Sequence, residues 1–418
     1  MSEELFPTAS PTFAGTRSEA LQQLKDFVPL AGRYGRDRNH VVPGHPRVSR
    51  LSPAIRHRLI LESECAEAPL ERYARSTVEK FTQEVYWRRY WKHWLSLRPQ
   101  VWRSYLSELD ELRSMPDVTT RVARCEAGKS DIVIMNHFAR ELIETGYLHN
   151  HARMWFAGWW VHVERLPWQL GADFFYRHLL DGDPASNTLS WRWVAGLQTP
   201  GKTYLPRRSN LEKYLDPDLL GKHAEGLERL ERPTALVLAK DPRVEITRPS
   251  LESSHRTPAG RVGLWIHEED LRPEFGPTAM LRPRAMIATG DTDTWKEFHF
   301  SKAKTDWLKR AIRDGAQRAE ACFNVEAAID TEQSMIQSIM AWATTHRLEH
   351  VVALRPEVGP LGDRVAALQE NLAASGIGLI LMDRPEDIVV RPLAKGGFFG
   401  FWKKMQQQLE ASGTGERT

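Results

Sequence analysis

The stretch that decides the fold lies between residues 145 and 193. It contains Thr145-Gly146-Tyr147-Leu148-His149-Asn150-His151-Ala152-Arg153-Met154, then Asp181-Gly182-Asp183-Pro184-Ala185-Ser186-Asn187, then Trp191-Arg192-Trp193. Asn150, Arg153 and Met154 stand three or four residues apart, so a helix would place them on one face. The Asp-Gly-Asp-Pro string predicts a turn that enters another helix, where polar side chains serve capping as well as chemistry. The spacing therefore predicts paired helices with a polar site between them.

The sequence around this stretch is also helical in pattern. Apolar residues recur at three- and four-residue intervals from residue 19 to about 230. Ten of the fifteen tryptophans fall between Trp87 and Trp193. For Trp155, Trp159 and Trp160, packing in a core is the expected role, because indoles fill cores more often than they carry electrons.

The second half has a different pattern. After Pro233, short β-rich runs at 234–238, 262–267, 285–289, 351–354 and 377–381 alternate with helical runs at 307–322, 332–345 and 363–375. This alternation predicts a doubly wound, mostly parallel α/β domain. We therefore expect a mobile tail at 1–18, a helical domain at 19–230, a linker or first strand at 231–260, the α/β domain at 261–405 and a tail at 406–418.

Composition narrows the functional classes. The 418 residues carry a formal net charge of only +3, so a nucleic acid would have to meet a local basic patch. Three scattered cysteines support neither a disulfide framework nor a metal site, which favours a reducing cytoplasm. No run of about 18 apolar residues suggests a membrane span. We expect a cytoplasmic, monomeric protein without a metal.

Two upstream strings complete a family pattern. They are Ser49-Arg50-Leu51-Ser52-Pro53 and Glu84-Val85-Tyr86-Trp87-Arg88. Together with the strings at 145–193, they resemble the flavin-binding core of DNA photolyases and cryptochromes over nearly all of residues 19–210. The resemblance implies FAD as the cofactor. It implies that the diphosphate is held by Tyr34, Ser49, Arg50, Leu51, Ser52 and Arg88. Asp183 would then accept from the flavin ring, Asn187 would face its reactive nitrogen, and an Asp181–Arg153 ion pair would lie beside it.

The same resemblance implies a substrate and an electron route. Positions that meet a flipped-out cyclobutane pyrimidine dimer in the family's repair enzymes correspond to Glu84, Trp87, Asn150, Met154 and Trp193. Trp191 and Trp168 match two links of the chain that reduces the family's flavin in light. The third link is open, with Trp102 or another indole as a candidate. Glu84, Asn150, Asn187, Trp191 and Trp168 are thus the expected catalytic residues.

Some positions depart from the family pattern. Val48 replaces a threonine, His57-Arg58 replaces an aromatic or aliphatic residue and a glycine, and Asn136 replaces an aspartate. His151 stands where the family usually has an arginine that contacts the DNA backbone. Each departure would weaken a cofactor or DNA contact without abolishing it.

The second half resembles the antenna domain of the same family, in reversed order. The matching segments are residues 262–272 and 396–403. The resemblance leaves open an antenna pigment, placed near Glu268 to Arg272 beyond the strand ends, and a purely structural role.

Three functions remain. The first is light-driven, FAD-dependent repair of pyrimidine dimers in DNA by a carbon-carbon lyase, and the second is a cryptochrome-like blue-light receptor without repair. The third is a flavin-free DNA-binding or scaffold protein. The complete Glu84, Trp87, Asn150, Met154 and Trp193 set favours repair, whereas the missing arginine at His151 favours the photoreceptor.

Overall fold

The first half of the chain is built from helices. The computed structural model describes residues 13–199, 203–239, 244–247 and 258–413, with side chains up to residue 408. The helices are α1 (Arg17–Ala31), α2 (Tyr34–Asp37), α3 (Ser52–Arg56), α4 (Glu62–Glu67), α5 (Arg75–Ser96), α6 (Pro99–Arg113), α7 (Pro116–Glu126), α8 (Val133–Thr145), α9 (Asn150–Gly158), α10 (Trp168–His178), α11 (Pro184–Val194), α12 (Arg208–Tyr214) and α13 (Pro217–Lys222). Short 3-10 turns lie at Ala68–Glu71 and Leu227–Leu230, and a π-helical turn at Trp159–Val163 follows α9.

The clustered tryptophans explain how these helices pack. Trp155, Trp159 and Trp160 have no exposed surface and lie in one apolar core with residues of α6, α8, α10 and α11. Burying large rings of this kind supplies most of the energy that holds helices together. The predicted core role of these three indoles is confirmed. Within the described ranges, every helix is too short or too polar to cross a bilayer.

The second half is a five-stranded parallel sheet covered by helices. Its strands are β1 (Val262–His267), β2 (Ala285–Thr289), β3 (Ala327–Asp330), β4 (His350–Leu354) and β5 (Gly378–Met382), in the order β3-β2-β1-β4-β5. The intervening helices are α14 (Thr292–Glu297), α15 (Lys302–Phe323), α16 (Met335–Thr345), α17 (Pro360–Ala374), α18 (Pro385–Val390) and α19 (Phe398–Gly413), with a 3-10 turn at Arg391–Leu393. All pairings are parallel, which confirms the doubly wound α/β prediction.

The two faces of the sheet have different partners. Leu264, Met286 and Val352 share a core with α15 and with α1 and α3 of the helical half. On the opposite face, Trp265 and Ile287 pack with α16 and α17. The first of these cores is continuous across both halves, so the α/β half and the helical half are joined by a shared apolar interior.

The strand expected at 234–238 is wrong. Residues 233–239 form no regular element, and Val237 is 89% exposed. Leu236 and Leu238 instead pack against the helical core, and the Leu236 amide donates to Nδ1 of His162 at 3.1 Å. The alternating apolar pattern therefore produces an extended segment that lies along the helices, because no neighbouring strand is available to pair with it.

The carboxyl ends of the strands face the helical half. The turn after β1 is buried, and the Leu271 amide donates to the His57 carbonyl at 3.0 Å. Arg58 contacts Asp270 at 2.9 Å and Asp387 at 2.7 Å from one guanidinium. In these pairs the helical half supplies the cation and the α/β half the carboxylate. The interface thus combines apolar packing with charge complementarity.

Candidate functional site

The Asp-Gly-Asp turn starts α11 through its second aspartate. Asp183 is the residue before the helix, and its Oδ1 accepts from the Ser186 amide at 2.7 Å and the Ser186 hydroxyl at 3.0 Å. Pro184 occupies the first helical turn, where its missing amide hydrogen costs nothing. Local capping chemistry therefore fixes the position of this turn.

The first aspartate of the turn connects three helices. Arg153 of α9 lies 3.0 Å from Oδ1 of Asp181, and Arg88 of α5 lies 3.3 Å from Oδ2. The Ser52 hydroxyl, at the start of α3, also donates to this carboxylate. Although burial opposes ionisation, the two guanidinium groups lower the pKa of Asp181 to about 2. The Asp181–Arg153 pair inferred from the sequence is present.

The second oxygen of Asp183 faces cations that the sequence analysis did not identify. Arg56 Nε lies 3.3 Å and Lys92 Nζ 3.6 Å from Oδ2, but neither contact has hydrogen-bond geometry. Arg56 is held by Glu269 of the α/β half, with Arg56 NH1 donating to Glu269 Oε2 at 2.7 Å. Lys92 lies 3.4 Å from the same carboxylate. The four side chains form a charge cluster beneath the turn, termed here the turn cluster: Arg56, Lys92, Asp183 and Glu269.

Coulombic attraction keeps the turn cluster ionised despite its burial. Arg56 and Lys92 lower the pKa of Asp183, and the same two cations hold the pKa of Glu269 far below its usual range. Each side chain of the cluster has little exposed surface. No local sequence motif predicts the contacts of this cluster, because Arg56 and Glu269 are 213 positions apart.

Asn187 lies one turn into α11. Its Nδ2 donates to the Ala172 carbonyl of α10 at 2.7 Å, which fixes the amide while leaving its oxygen as an acceptor. The predicted role of Asn187 opposite the flavin ring stays a prediction.

The predicted phosphate segment lies between α2 and α3. Ser49 Oγ accepts from the Leu51 amide at 3.4 Å, and Arg50 has a left-handed backbone with φ of +55°. Leu51 has no exposed surface, so any contact of Leu51 with a cofactor would use its backbone. Tyr34 packs its ring against Phe27 and Phe81.

The residues predicted to meet a lesion are accessible to different degrees. Asn150 is exposed, and Glu84, Trp87, Met154 and Trp193 are half-buried. Glu84 is tied to Arg38 at 2.8 Å, and burial raises its pKa. Trp87 stacks on Phe398 of α19, with ring centroids 3.8 Å apart and planes 11° apart. Trp193 contacts Tyr204. Arg38 and Phe398 were not identified from the sequence, since neither belongs to a local motif with its partner.

The two predicted electron carriers are buried. Trp168 on α10 and Trp191 on α11 are 4% and 2% exposed. Trp191 packs edge-on to Phe175 at 5.0 Å and lies directly over Gly171. A Cβ at Gly171 would lie 2.3 Å from the Trp191 ring, so this helix pair requires a glycine there. The roles of both indoles in electron transfer stay predictions.

The donor set of the site fits a dinucleotide such as FAD. Hydroxyls of Ser49 and Ser52 and the guanidinium of Arg88 suit a diphosphate, since charged and hydroxyl donors bind phosphate oxygens strongly. Asp181 Oδ1 and Asp183 Oδ2 are buried and accept no hydrogen bond from the described residues. Each of these oxygens lies near a cation but can still accept a hydrogen bond, and a flavin carries ring and ribityl donors. The Asp183 oxygen that would accept from the flavin ring is the one that faces Arg56 and Lys92 of the turn cluster.

The strand-end turn of the α/β half does not fit the predicted pigment position. Its residues bond to the helical half: the Glu268 carbonyl accepts from His57 at 2.6 Å, and Arg272 pairs with Glu64. Glu268 itself accepts from Trp295 Nε1 at 2.9 Å and the Asp291 amide at 3.1 Å. The placement of a pigment near Glu268 to Arg272 is therefore wrong, because protein side chains cover this edge of the sheet.

Comparisons with known proteins agree with the geometry of the helical half. Residues 81–221 match the family model described as the FAD binding domain of DNA photolyase. The chain is 28% identical over 220 residues to a deoxyribodipyrimidine photo-lyase of Agrobacterium fabrum, covering 51% of this chain and 46% of that one. It is 31% identical over 152 residues to a Streptomyces griseus deoxyribodipyrimidine photo-lyase, covering 36% and 32%.

Solved structures give a weaker likeness. A cryptochrome of Synechocystis is 20% identical with a TM-score of 0.46, and the match covers 55% of this chain and 48% of that one. The matches cover less than half of each of these relatives. The helical half of the chain is thus similar, over residues 81–221, to the FAD binding domain of DNA photolyase.

Proposed function

We propose that this protein repairs cyclobutane pyrimidine dimers in DNA by light-driven electron transfer, using FAD. When bound, FAD would supply the light absorption and the one-electron chemistry. The protein would position the cofactor, exclude water and receive the lesion. We further propose that it does so as a monomer in the cytoplasm. The observation that carries the proposal is the buried Asp181 carboxylate, held by Arg88 and Arg153 from two helices.

The cofactor end of the site would work through fixed charges. Arg88 donates to both the carbonyl and the carboxylate of Asp181, which would hold its guanidinium in place for a diphosphate. Asn187 and Asp183 are immobilised by α10 and by the α11 cap. Such preorganised dipoles act without rearranging during the reaction.

The residues at the proposed substrate end of the site are more accessible to solvent than the core indoles. The five residues assigned to the lesion are half-buried or exposed, whereas Trp155, Trp159 and Trp160 are fully buried. An accessible aromatic wall with a few polar groups suits a pyrimidine dimer lifted from the duplex. Glu84 and Asn150 would provide the polar contacts, and Trp87 and Trp193 the apolar wall.

A spectrum followed by a repair assay tests the proposal. Purified protein is expected to show flavin absorption and to remove a single thymine dimer from an oligonucleotide only under illumination. Glu84→Gln should lower repair without releasing FAD, and Glu297→Gln on the α/β surface serves as a matched control. Repair by the Glu84→Gln and Asn187→Ala variants at the parental rate would contradict the residue roles. Absence of flavin would contradict the proposal as a whole.

A photoreceptor without repair activity is the second candidate. Two observations favour it. Phe398 covers one face of Trp87. His151, which takes the place of an arginine, turns inward, and its Nδ1 donates to the Asn39 carbonyl at 2.8 Å. A flavin-containing protein that leaves dimers intact, in both the parent and a Phe398→Ala variant, would support this candidate.

A further inference from the structure

One arginine connects the α/β half to the Asp-Gly-Asp turn. Arg56, the last residue of α3, donates through Nε to the Gly182 carbonyl at 3.4 Å and lies 3.3 Å from Asp183 Oδ2. The NH1 group of the same guanidinium donates to Glu269 Oε2 at 2.7 Å. A single side chain of the helical half therefore contacts the turn before α11 and the turn after β1.

The next residue connects the same two segments without a charge. His57 lies between two carbonyl oxygens, with Nδ1 2.6 Å from that of Glu268 and Nε2 3.2 Å from that of Leu180. Leu180 directly precedes the Asp-Gly-Asp turn, and Glu268 directly precedes Glu269. Burial and the adjacent Arg56 lower the pKa of His57 to about 3, so the imidazole is neutral at pH 7. The charge between the two segments is thus supplied by Arg56 and not by His57.

Two cations of the turn cluster are shared by two carboxylates, one from each half of the chain. Lys92 Nζ lies 3.6 Å from Asp183 Oδ2 and 3.4 Å from Glu269 Oε2. Glu269 accepts hydrogen bonds from both Arg56 and Lys92, whereas Asp183 Oδ2 accepts none from the described residues. Glu269 therefore engages the donors of both cations and leaves the buried Asp183 oxygen available as an acceptor.

We infer that Glu269 of the α/β half is a positioning residue for the flavin: by engaging Arg56 and Lys92, it sets the affinity for FAD and the charge beside the ring. This inference rests on the proposed FAD-dependent function, in which Asp183 accepts from the flavin ring. With Glu269 in place, the turn cluster has no net charge and Asp183 keeps one oxygen for the cofactor. The α/β half would then act on the flavin without holding a pigment.

Removing the charge of Glu269 should change FAD binding in two ways. In Glu269→Gln, Arg56 and Lys92 lose the competing carboxylate and donate to Asp183, so the flavin ring loses its acceptor and the affinity for oxidised FAD should fall. The cluster also gains one positive charge, which favours the more negative reduced flavin. Relative to oxidised FAD, reduced FAD should be bound on the order of tenfold more favourably than in the parent. Such a change raises the midpoint potential of a two-electron couple by about 30 mV.

Two further variants separate the effect of charge from damage to the fold. Glu269→Asp keeps the carboxylate, so its potential should stay closer to the parental value than that of Glu269→Gln. The double variant Arg56→Met, Glu269→Gln restores a cluster without net charge and is therefore expected to fold. Its Asp183 faces Lys92 alone. The potential of the double variant should fall below the parental value, because the lost cation is the one that contacts the turn.

The measurements are a fluorescence titration with FAD and a spectroelectrochemical midpoint potential, both on the full-length protein. Glu297→Gln is the matched control, because Glu297 is a carboxylate of the α/β half that pairs with Arg364, and it should leave affinity and potential unchanged.

Two results would overturn the inference while leaving FAD binding intact. The first is a parental potential in Glu269→Gln, and the second is a potential at or above the parental value in the double variant. A parent that binds no FAD would overturn the proposed function and this inference together. If Glu269→Gln fails to fold, the sign of the change in the double variant still decides.

Discussion

The turn cluster provides a sharp test of how the two halves are held together. In the parent, the charges of Arg56 and Lys92 are balanced by Asp183 and Glu269, and none of these four side chains is more than 12% exposed. Glu269→Gln removes one negative charge and leaves Arg56 and Lys92 facing only Asp183. Removing one partner of a buried ion pair typically costs about 3–5 kcal/mol, because the remaining charge has lost both water and its counterion. We expect a loss of this size in the free energy of unfolding.

Urea-induced unfolding, followed by tryptophan fluorescence and by circular dichroism, measures this loss. The double variant Arg56→Met, Glu269→Gln removes one charge of each sign and should recover most of the stability, since the cluster is again neutral. Asp306→Asn, an exposed carboxylate paired with Lys302, is the control and should change stability by less than about 1 kcal/mol. If Glu269→Gln lost no more than this control, or if the double variant were less stable than the single one, the electrostatic account of the cluster would be refuted.

Three further predictions concern stability. The pKa of Asp181 is lowered to about 2, so the stability contributed by its ionised carboxylate is present above the unfolded pKa near 4 and is lost between about pH 4 and pH 2. Acid titration should show a loss of about 2–3 kcal/mol in the free energy of unfolding, and the Asp181→Asn variant should lack this loss. Burial raises the pKa of Glu268 to about 8, so above about pH 4.5 this carboxyl ionises in the unfolded chain but stays protonated in the folded one, which favours unfolding. Glu268→Gln should therefore stabilise the protein by roughly 3 kcal/mol at pH 7 and by little at pH 4, as measured by urea unfolding at both pH values. Gly171→Ala should cost about 1–3 kcal/mol and alter the near-ultraviolet circular dichroism of Trp191, because the new methyl group overlaps that ring; an unchanged spectrum and midpoint would contradict the described packing.

The sequence was sufficient for the architecture because the relevant signals are local. Three- and four-residue spacing placed helices in the first half, and alternating strand and helix patterns predicted the parallel sheet. The same local reasoning failed at residues 234–238. Alternation there was correct for an extended chain, but a strand also needs a partner, and only the tertiary structure decides whether one is adjacent.

The site was predictable where its residues belong to one motif. Asp181, Asp183 and Arg153 lie within about thirty positions, and the structure places the pair Asp181–Arg153 as the resemblance implied. Arg56 and Glu269 could not be paired from the sequence. Each is an ordinary surface residue type, and their contact depends on how the two halves pack. The predicted pigment position failed for the same reason, since the strand-end edge is covered by the other half.

The interface has a consequence for dissecting the protein. At the contacts of Arg56 and Arg58 the helical half carries arginine and the α/β half carboxylates, so these patches would attract one another if the halves were produced as separate polypeptides. Fragments of this kind can find each other by attraction that added salt weakens. A split version of the molecule would accordingly act as a two-component switch, with ionic strength controlling its assembly.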